Sequence, residues 1–260
     1  MIQLPFGISQ DIWGGAILGA VIGAIVIPIV WWLISYFGSW WKNTKPQNQL
    51  LGPLRIQEEK CQVFVRDFLI DRNSRLLSVE PRIGVGEVPN VIQLWADVDG
   101  KAAADVLNVL GQVGKTRNIS IVRMSQDTGQ WNSHVIVIGG QSRKSFDFYD
   151  NFEYVKYSMD ANEIYDNRGG PILREDGFGY GIILKARNPF KTEGDGIGFL
   201  VGGFGTLGTV AASYFFREHF KDLGKQFGSK YFGIVVRAPV TAGEEAVERL
   251  HQYDRVSDRD

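Results

Sequence analysis

Two long apolar runs dominate the pattern of hydrophobic and polar positions along this chain. The first, Ile12–Phe37 (IWGGAILGAVIGAIVIPIVWWLISYF), contains no charged residue. A helix of that length spans about 39 Å, which exceeds the ~30 Å hydrocarbon core of a bilayer. Trp13 lies near one end of the run, and Trp31 and Trp32 lie near the other, as in the aromatic belts of membrane helices. The pattern predicts a single transmembrane helix within an anchor of residues 1–41.

The distribution of positive charge predicts the orientation of this anchor. No Lys or Arg precedes the apolar run, whereas Lys42 and Lys45 follow it closely. Lys and Arg beside a membrane span stay on the cytoplasmic side, so we expect a single-pass inner-membrane protein whose C-terminal domain is cytoplasmic. A cleaved signal peptide is disfavoured, because the start of the chain has no basic region.

Small residues form a stripe along the predicted transmembrane helix. Gly15, Gly19 and Gly23 recur every four residues. This spacing lets two helix backbones approach closely in lipid, so we expect the protein to form a homo-oligomer through these glycines. The alternative is that small residues are common in membrane helices and mark no contact.

The chain that follows the anchor reads as a linker and a helix. Residues 42–88 begin with a polar stretch, Asn43–Pro53, that contains two prolines and predicts a short linker. Glu58–Leu77 places Cys61 and Phe64 on one face at helical spacing, with polar residues elsewhere. We interpret it as a juxtamembrane amphipathic helix.

Residues 89–260 alternate between strand-like and helical patterns, which predicts a cytosolic α/β ligand-binding domain. Strands are predicted at Val91–Val98, Ile119–Met124, His134–Ile138, Tyr180–Ala186, Ile197–Val201 and Tyr231–Arg237. Helices are predicted at Gly100–Gly114, Gln141–Asn151 and Leu207–Gly224, with a short final helix capped by Thr241 and Glu244 and a hairpin or lid over Phe152–Arg174. The strands are continuously apolar, so we expect a Rossmann-like, mostly parallel sheet covered on both faces.

The second long apolar run, Gly196–Phe216, could be a second membrane span or a strand followed by a helix. It has no charged residue, but it contains six glycines, which make a poor helix. Its apolar spacing also continues past the run into a segment with Arg217 and Glu218, as expected of a helix that covers a sheet. The pattern favours a soluble strand, turn and helix.

The turn within this second run carries a G-x-G-x-x-G pattern. Gly203, Gly205 and Gly208, with Thr206 between them, lie where a strand passes into a helix. Such glycines allow a tight turn and close approach of the backbone to a phosphate at the helix N-terminus. The acidic residue expected about 20 positions later in a dinucleotide site is missing. The alternative is that these glycines serve turn geometry and packing alone.

A second candidate anion site follows the strand His134–Ile138. The residues are Gly139, Gly140, Ser142, Arg143 and Lys144, which combine free backbone N–H groups, a hydroxyl and two cations. If the two glycine-bearing strands are neighbours, both loops face one crevice at the carboxyl ends of the strands. The alternative for Arg143 and Lys144 is a solvated helix surface.

Acidic and lid residues complete the set of candidates. Asp97, with Asp99 and Lys101, follows the first predicted strand and could hold a ribose or a metal, although turn aspartates commonly have no ligand. Tyr165, Arg168 and the Gly169–Gly170 pair lie in the presumed lid.

Composition excludes several classes of function. Residues 42–260 carry 28 basic and 28 acidic side chains, so no overall field attracts nucleic acid. Cys61 is the one cysteine, which rules out an intrachain disulfide and a cysteine zinc site. Nothing in the sequence forms a hydrolytic triad, no metal site is predicted, and no catalytic residue is assigned.

The layout resembles membrane-tethered Rossmann-like sensor proteins of bacterial signalling and antiviral defence, of the SLOG or TIR-associated type. The resemblance rests on the glycine stripe and on VIGGQSRKS and VGGFGTLGT at strand ends. It implies a sensor or effector that binds a phosphate-bearing ligand, with a nucleotide as the expected ligand class, and that signals through its membrane helices. One alternative is a membrane-bound enzyme acting on a nucleotide or nucleoside sugar, with Asp97 or Glu153 as base or nucleophile. Another is a membrane scaffold without a ligand.

Overall fold

The computed structural model describes two units of the chain, Met1–Lys45 and Pro46–Asp260. The described residues are 24–35, 46–71, 77–79, 91–124, 133–150, 155–158, 163–166, 171–172, 174–189, 191 and 196–253.

In the first unit, residues 24–35 form a helix with exposed side chains. Within the described part of the chain, no helix is both long enough and apolar enough to cross a membrane. The rest of the predicted span, including Gly15, Gly19 and Gly23, lies outside the described residues. The anchor and its glycine stripe therefore stay predictions.

The second unit contains the strands and the longer helices. In chain order the described strands are β1 (Cys61–Val65), β2 (Asp67–Asp71), β3 (Leu77–Val79), β4 (Val91–Trp95), β5 (Ile119–Arg123), β6 (His134–Ile138), β7 (Val155–Ser158), β8 (Glu163–Asp166), β9 (Pro171–Ile172), β10 (Phe178–Arg187), β11 (Ile197–Gly203), β12 (Phe232–Pro239) and β13 (Glu248–Tyr253). The longer helices are α1 (Asp97–Gln112), α2 (Arg143–Asp150) and α3 (Gly205–Phe227). Residues 46–51 add a short helix that continues into the 3-10 turn Gly52–Arg55.

The main sheet has seven strands in the order β13-β12-β10-β11-β6-β1-β5. The half formed by β11, β6, β1 and β5 is parallel, whereas β10 pairs antiparallel with both β11 and β12, and β13 pairs antiparallel with β12. The α/β class is confirmed, but the sheet is mixed rather than mostly parallel in its pairings. The reason is that β10 lies between β11 and β12, the two strands that α3 connects along the chain.

Two apolar layers cover the sheet. On one face α1, α3 and the segment with Leu50 and Leu54 enclose a core that includes Phe199, Phe216 and Phe232. On the other face the side chains of α2 and β8 pack against β6, β10 and β11. Three-stranded sheets β3-β2-β4 and β7-β8-β9 flank this arrangement.

The predicted helix Glu58–Leu77 is wrong, because this stretch forms β1, β2 and the start of β3. β1 lies inside the main sheet between β5 and β6, and four of its five residues are buried. A strand buried on both faces has a continuous apolar run, which also satisfies helical spacing. The α/β unit therefore includes residues that the sequence pattern assigned to a linker region.

The C-terminal prediction is also corrected. Glu244–Ala246 is a 3-10 turn with Gly243 at its cap and no side-chain capping bond, so Thr241 and Glu244 form no capping box. The chain then continues into the strand β13, where the sequence pattern predicted a short final helix. Phe152–Arg174, predicted as a hairpin or lid, contributes β7, β8 and β9. The remaining predicted strands and helices are confirmed within a few residues at their ends.

Cys61 and His134 have structural roles at the start of neighbouring strands. Burial raises the pKa of the Cys61 thiol to about 12, which leaves it protonated and unreactive. His134 is buried, and its Nδ1 accepts a hydrogen bond of 3.0 Å from the backbone N–H of Ile197. Burial also lowers the pKa of His134, which favours the neutral ring that this bond requires.

Candidate functional site

The two glycine-bearing loops lie side by side. β6 and β11 are adjacent and parallel, with Val135 opposite Gly198 and Ile138 opposite Val201. Parallel neighbours end at the same edge of a sheet, so Gly139 and Gly203 emerge together at its carboxyl edge. Because the two strands are neighbours, both loops face one crevice, as predicted for that case.

Glycine is required where the loops touch. A Cβ on Gly140 would lie 2.6 Å from the backbone nitrogen and oxygen of Gly203. A Cβ on Gly202 would lie less than 3.0 Å from the backbone of Gly139 and Gly140. Any side chain at these positions would force the two loops apart, so the loops form one continuous backbone surface.

The three glycines of the G-x-G-x-x-G pattern have different roles. A Cβ on Gly203 or Gly208 would lie less than 3.0 Å from the carbonyl oxygen of Tyr180 on β10. These two glycines let the first turn of α3 pack directly on the sheet, as the packing alternative predicted. Gly205 differs, because it has φ +64° and open space where a Cβ would point. It faces the crevice between the loops.

α3 begins at this crevice without a side-chain cap. Phe204 occupies the N-cap position, and its own N–H donates 2.8 Å to the carbonyl of Tyr180. Thr206 is exposed in the first turn, and Thr209 lines the crevice. Uncapped N–H groups and the helix dipole make the N-terminus of a long helix favourable for an anion.

The loop after β6 is held in place by α2. Ser145 Oγ donates 2.6 Å to the carbonyl of Gly139, and the Tyr149 hydroxyl donates 3.0 Å to the carbonyl of Gly140. The Ser142 hydroxyl lies 2.7 Å from Ser145 Oγ and accepts a 3.1 Å bond from the Ser145 N–H. Ser142 therefore caps α2, and its hydroxyl stabilises the loop.

The two predicted cations are placed differently from the glycines. The Lys144 ammonium lies 4.6 Å from the centroid of the Phe64 ring. Phe64 belongs to the core on the face covered by α2, so this interaction directs Lys144 along that face. The side chain of Arg143 lies outside the described residues. A phosphate contact from either cation stays a prediction.

The structure adds an ion pair that the sequence interpretation did not assign to the site. Arg66 follows β1 and lines the crevice. Its Nε lies 3.7 Å from Oδ2 of Asp99, a buried residue in the first turn of α1. Burial raises the pKa of the Asp99 carboxyl to about 6, although Arg66 opposes that effect. A Cβ on Gly139 would lie 3.9 Å from Asp99 Oδ1, which places the carboxylate directly behind the glycine loop.

The neighbouring rim candidates lie elsewhere. Asp97, the first residue of α1, is exposed. Lys101 forms an ion pair with Glu244 in the 3-10 turn before β13. Arg66 was missed because β1 was interpreted as a helix. Its signal was the polar pair Arg66-Asp67 directly after the buried run CQVFV, which is typical of a strand end at a sheet edge.

Two cavities open at this edge. The smaller one, which we call the glycine crevice, is lined by Arg66, Gly139, Gly140, Gln141, Ser142, Gly203, Gly205 and Thr209. The larger one, which we call the outer cleft, has a volume of about 460 Å³ and is lined by Gln141, Arg174, Glu175, Asp176, Gly177, Phe178, Tyr180, Phe204 and Gly205. Gln141 and Gly205 line both, so the two cavities are neighbours.

The remaining candidates do not join this edge in the described structure. Tyr165 lies half-buried in β8, while Glu153, Arg168 and Gly169–Gly170 lie outside the described residues. Over the residues that the structure describes, no cluster of three His, Cys, Asp or Glu side chains could hold a metal ion.

Comparison with known proteins produced no match to a family model, to a curated protein or to a solved structure.

Proposed function

We propose that the unit from Pro46 onward binds a phosphate-bearing small ligand, with a nucleotide as the ligand class, in the glycine crevice. The carrying observation is the parallel pairing of β6 and β11, which brings both glycine loops and the start of α3 to one place. The phosphate lies at the open mouth of the crevice, at the α3 N-terminus beside Gly205, because the crevice itself has a volume of only about 20 Å³. The Arg66 guanidinium, which also pairs with Asp99, lines the same crevice and supplies positive charge.

The proposed role is that of a membrane-anchored sensor or effector in bacterial signalling or defence. The N-terminal segment is the bilayer anchor, and Gly15, Gly19 and Gly23 bring the anchors of two or more protomers together. Ligand binding in the crevice changes how the protomers associate.

α3 supports this role because it connects the crevice with the chain that follows the anchor. A helix of 23 residues spans about 34 Å. Near its other end a Cβ on Gly224 would lie 2.6 Å from the carbonyl oxygen of Pro46. The buried Lys185 ammonium donates to the carbonyls of Gly228 at 3.1 Å and Gln49 at 3.4 Å, fastening that end to the same segment. Ligand-induced movement of α3 therefore reaches the residues that follow Lys45.

Thermal-shift measurements on the full-length protein in detergent test the binding proposal. We expect at least one of a panel of nucleoside mono-, di- and triphosphates and NAD to raise the melting temperature. Gly205→Asp places a negative charge at the start of α3 and should abolish that shift.

Gly243→Asp is the matched control. Gly243 also has positive φ and open space, but it lies in the turn before β13. Both variants introduce a carboxylate at a glycine of positive φ, so loss of the shift in Gly205→Asp alone assigns the effect to the crevice. Absence of any shift in the wild-type protein contradicts the proposal.

A second candidate function is an enzyme that acts on a nucleotide or nucleoside sugar in the same crevice. The observation that favours it is the buried Asp99 carboxylate, whose raised pKa suits a general base near neutral pH. In this candidate function Asp99 is the base, a role that the sequence suggested for Asp97 or Glu153. Incubation of the protein with NAD and nucleotides, followed by chromatography, should then reveal a product that Asp99→Asn does not form. Unchanged substrates after long incubation exclude this candidate.

A further inference from the structure

The outer cleft is larger than a phosphate requires. Its volume of about 460 Å³ lies in the range of pockets that bind whole small molecules. It shares Gln141 and Gly205 with the glycine crevice. A ligand whose phosphate lies at the crevice therefore has the outer cleft beside it.

The cleft presents a guanidinium plane backed by an aromatic ring. The Arg174 guanidinium lies 5.0 Å from the centroid of the Phe204 ring, and Phe204 is the residue that begins α3. Arg174 is exposed and lines the cleft. Guanidinium and aromatic planes are the surfaces on which nucleobases stack in proteins.

The wall that carries Arg174 is fixed to the sheet. The Glu175 N–H donates 2.7 Å to the hydroxyl of the buried Tyr180. The Glu175 carboxylate also pairs with Arg237 at 2.9 Å. Because this turn is tied to β10 and β12, the backbone that carries Arg174 is in place before a ligand arrives.

Charge orients a ligand along the two cavities. The outer cleft carries the acidic side chains of Glu175 and Asp176 together with Arg174. The crevice carries Arg66 and the uncapped start of α3. Phosphate is therefore favoured in the crevice, and the uncharged end of the ligand is favoured in the cleft.

We propose that the outer cleft is a base-binding subsite, in which the planar base of a nucleotide stacks on the Arg174–Phe204 pair while its phosphate lies in the glycine crevice. This inference rests on the proposed function, because it assigns the rest of the same ligand. It identifies the ligand class as a nucleotide rather than a sugar phosphate or a free phosphate.

Calorimetric titration of the full-length protein in lipid nanodiscs tests this subsite. The probes are AMP, GMP, CMP and UMP, with ribose 5-phosphate and inorganic pyrophosphate as ligands that lack a base. We expect the best nucleotide to bind at least about fivefold more tightly than ribose 5-phosphate, since stacking of one base on such a surface contributes that much or more. This comparison needs no variant.

Arg174→Gln removes the stacking plane at an exposed position. It should weaken binding of the best nucleotide about fivefold to a hundredfold and leave ribose 5-phosphate affinity within about twofold. Arg187→Gln removes the same charge from an exposed position at the other end of β10 and should change neither affinity.

The outcomes separate the two proposals. If ribose 5-phosphate or pyrophosphate binds as tightly as every nucleotide, the base subsite is wrong and the phosphate site stands. Equal losses for nucleotide and ribose 5-phosphate in Arg174→Gln also overturn the subsite, because Arg174 would then act on phosphate. If none of the probes binds, both proposals fail.

Discussion

The buried charged side chains at the two ends of the seven-stranded sheet differ in their hydrogen bonding. At the end opposite the crevice, the buried Lys115 ammonium donates to the carbonyls of Ile56 and Glu59, both at 2.5 Å, and of Gln57 at 3.3 Å. At the crevice, Oδ2 of the buried Asp99 makes no hydrogen bond to the residues that the structure describes. A buried charged group whose hydrogen bonds are all made stabilises a fold, whereas one with missing hydrogen bonds lowers its stability. The contrast separates the end of the sheet that holds Lys115, which we call the structural end, from the end that carries the candidate site.

Backbone packing at the crevice provides the largest expected effect. Gly208→Ala places a Cβ against the carbonyl oxygen of Tyr180, which is backbone and cannot move aside. We expect the free energy of unfolding to fall by about 3 kcal/mol or more, measured by urea denaturation. Gly205→Ala is the control, because its Cβ meets open space and it should cost only about 1 kcal/mol through its positive φ. Equal losses for the two variants would contradict the assignment of Gly208 to packing.

Removal of the lysine at the structural end should be almost as severe. Lys115→Met leaves three carbonyl groups without their donor in a buried site. The expected loss is about 2–3 kcal/mol in the same urea experiment. Lys230→Met, at an exposed position, should change stability by less than about 0.5 kcal/mol. A tolerated Lys115→Met would show that this end of the sheet does not depend on its buried charge.

Replacement of Asp99 at the crevice should raise the free energy of unfolding rather than lower it. The folded protein holds the Asp99 pKa near 6, above its unfolded value, so the native state binds the proton more tightly than the unfolded state. This contribution to stability is present below pH 4, is lost as the pH rises to about 6, and stays absent at neutral pH. We expect Asp99→Asn to raise the free energy of unfolding at pH 7 by about 1–2 kcal/mol.

The pH dependence of the free energy of unfolding provides a second test of the Asp99 contribution. The difference between Asp99→Asn and the wild-type protein should grow from pH 4 to pH 6 and then level off. Asp97→Asn, at the exposed neighbour, should leave the curve unchanged. A destabilised Asp99→Asn at pH 7 would mean that the carboxylate is a structural element of the loop.

Lys185 tests the structural end of the sheet at high pH. Burial lowers its pKa to about 8, so the unfolded state binds the proton more tightly between about pH 8 and pH 10.5. Wild-type stability should therefore gain a rising contribution across that window, and Lys185→Met should lack it. Urea denaturation of both proteins at pH 7.5, 8.5 and 9.5 measures the difference. Parallel curves would mean that the bonds to Gly228 and Gln49 keep the ammonium charged.

Most of the secondary structure could be predicted because local spacing carries it. The helix from Asp97 and the strand from His134 match their predicted positions closely, since each has one dominant hydrophobic period and clear ends. Glu58–Leu77 failed because a strand buried on both faces has no alternation to distinguish it from a helix. The antiparallel insertion of β10 could not be predicted, because strand order depends on pairing between distant segments.

For the candidate site too, some residues could be predicted from the sequence and others could not. The glycine loops could be found from the sequence, because a positive φ at Gly205 and close backbone approach at Gly140 and Gly203 both require glycine. The choice between Asp97 and Asp99 could not be made, since the two acids are two residues apart and differ only in burial. Arg66 could not be assigned either, because its position depends on β1 lying between β5 and β6.

The sequence by itself determined the apolar runs, the glycine turns and most of the strands and helices between Val91 and Pro239, because each depends on residues close together along the chain. Only the tertiary structure decided that β6 and β11 are neighbours, that Ser142 caps a helix, and that Lys144 lies over Phe64. It also decided that a buried carboxylate and a guanidinium meet behind the glycine loop. These outcomes depend on contacts between residues far apart in sequence, and the free energy of such contacts is set by burial and by the partners that the fold brings together.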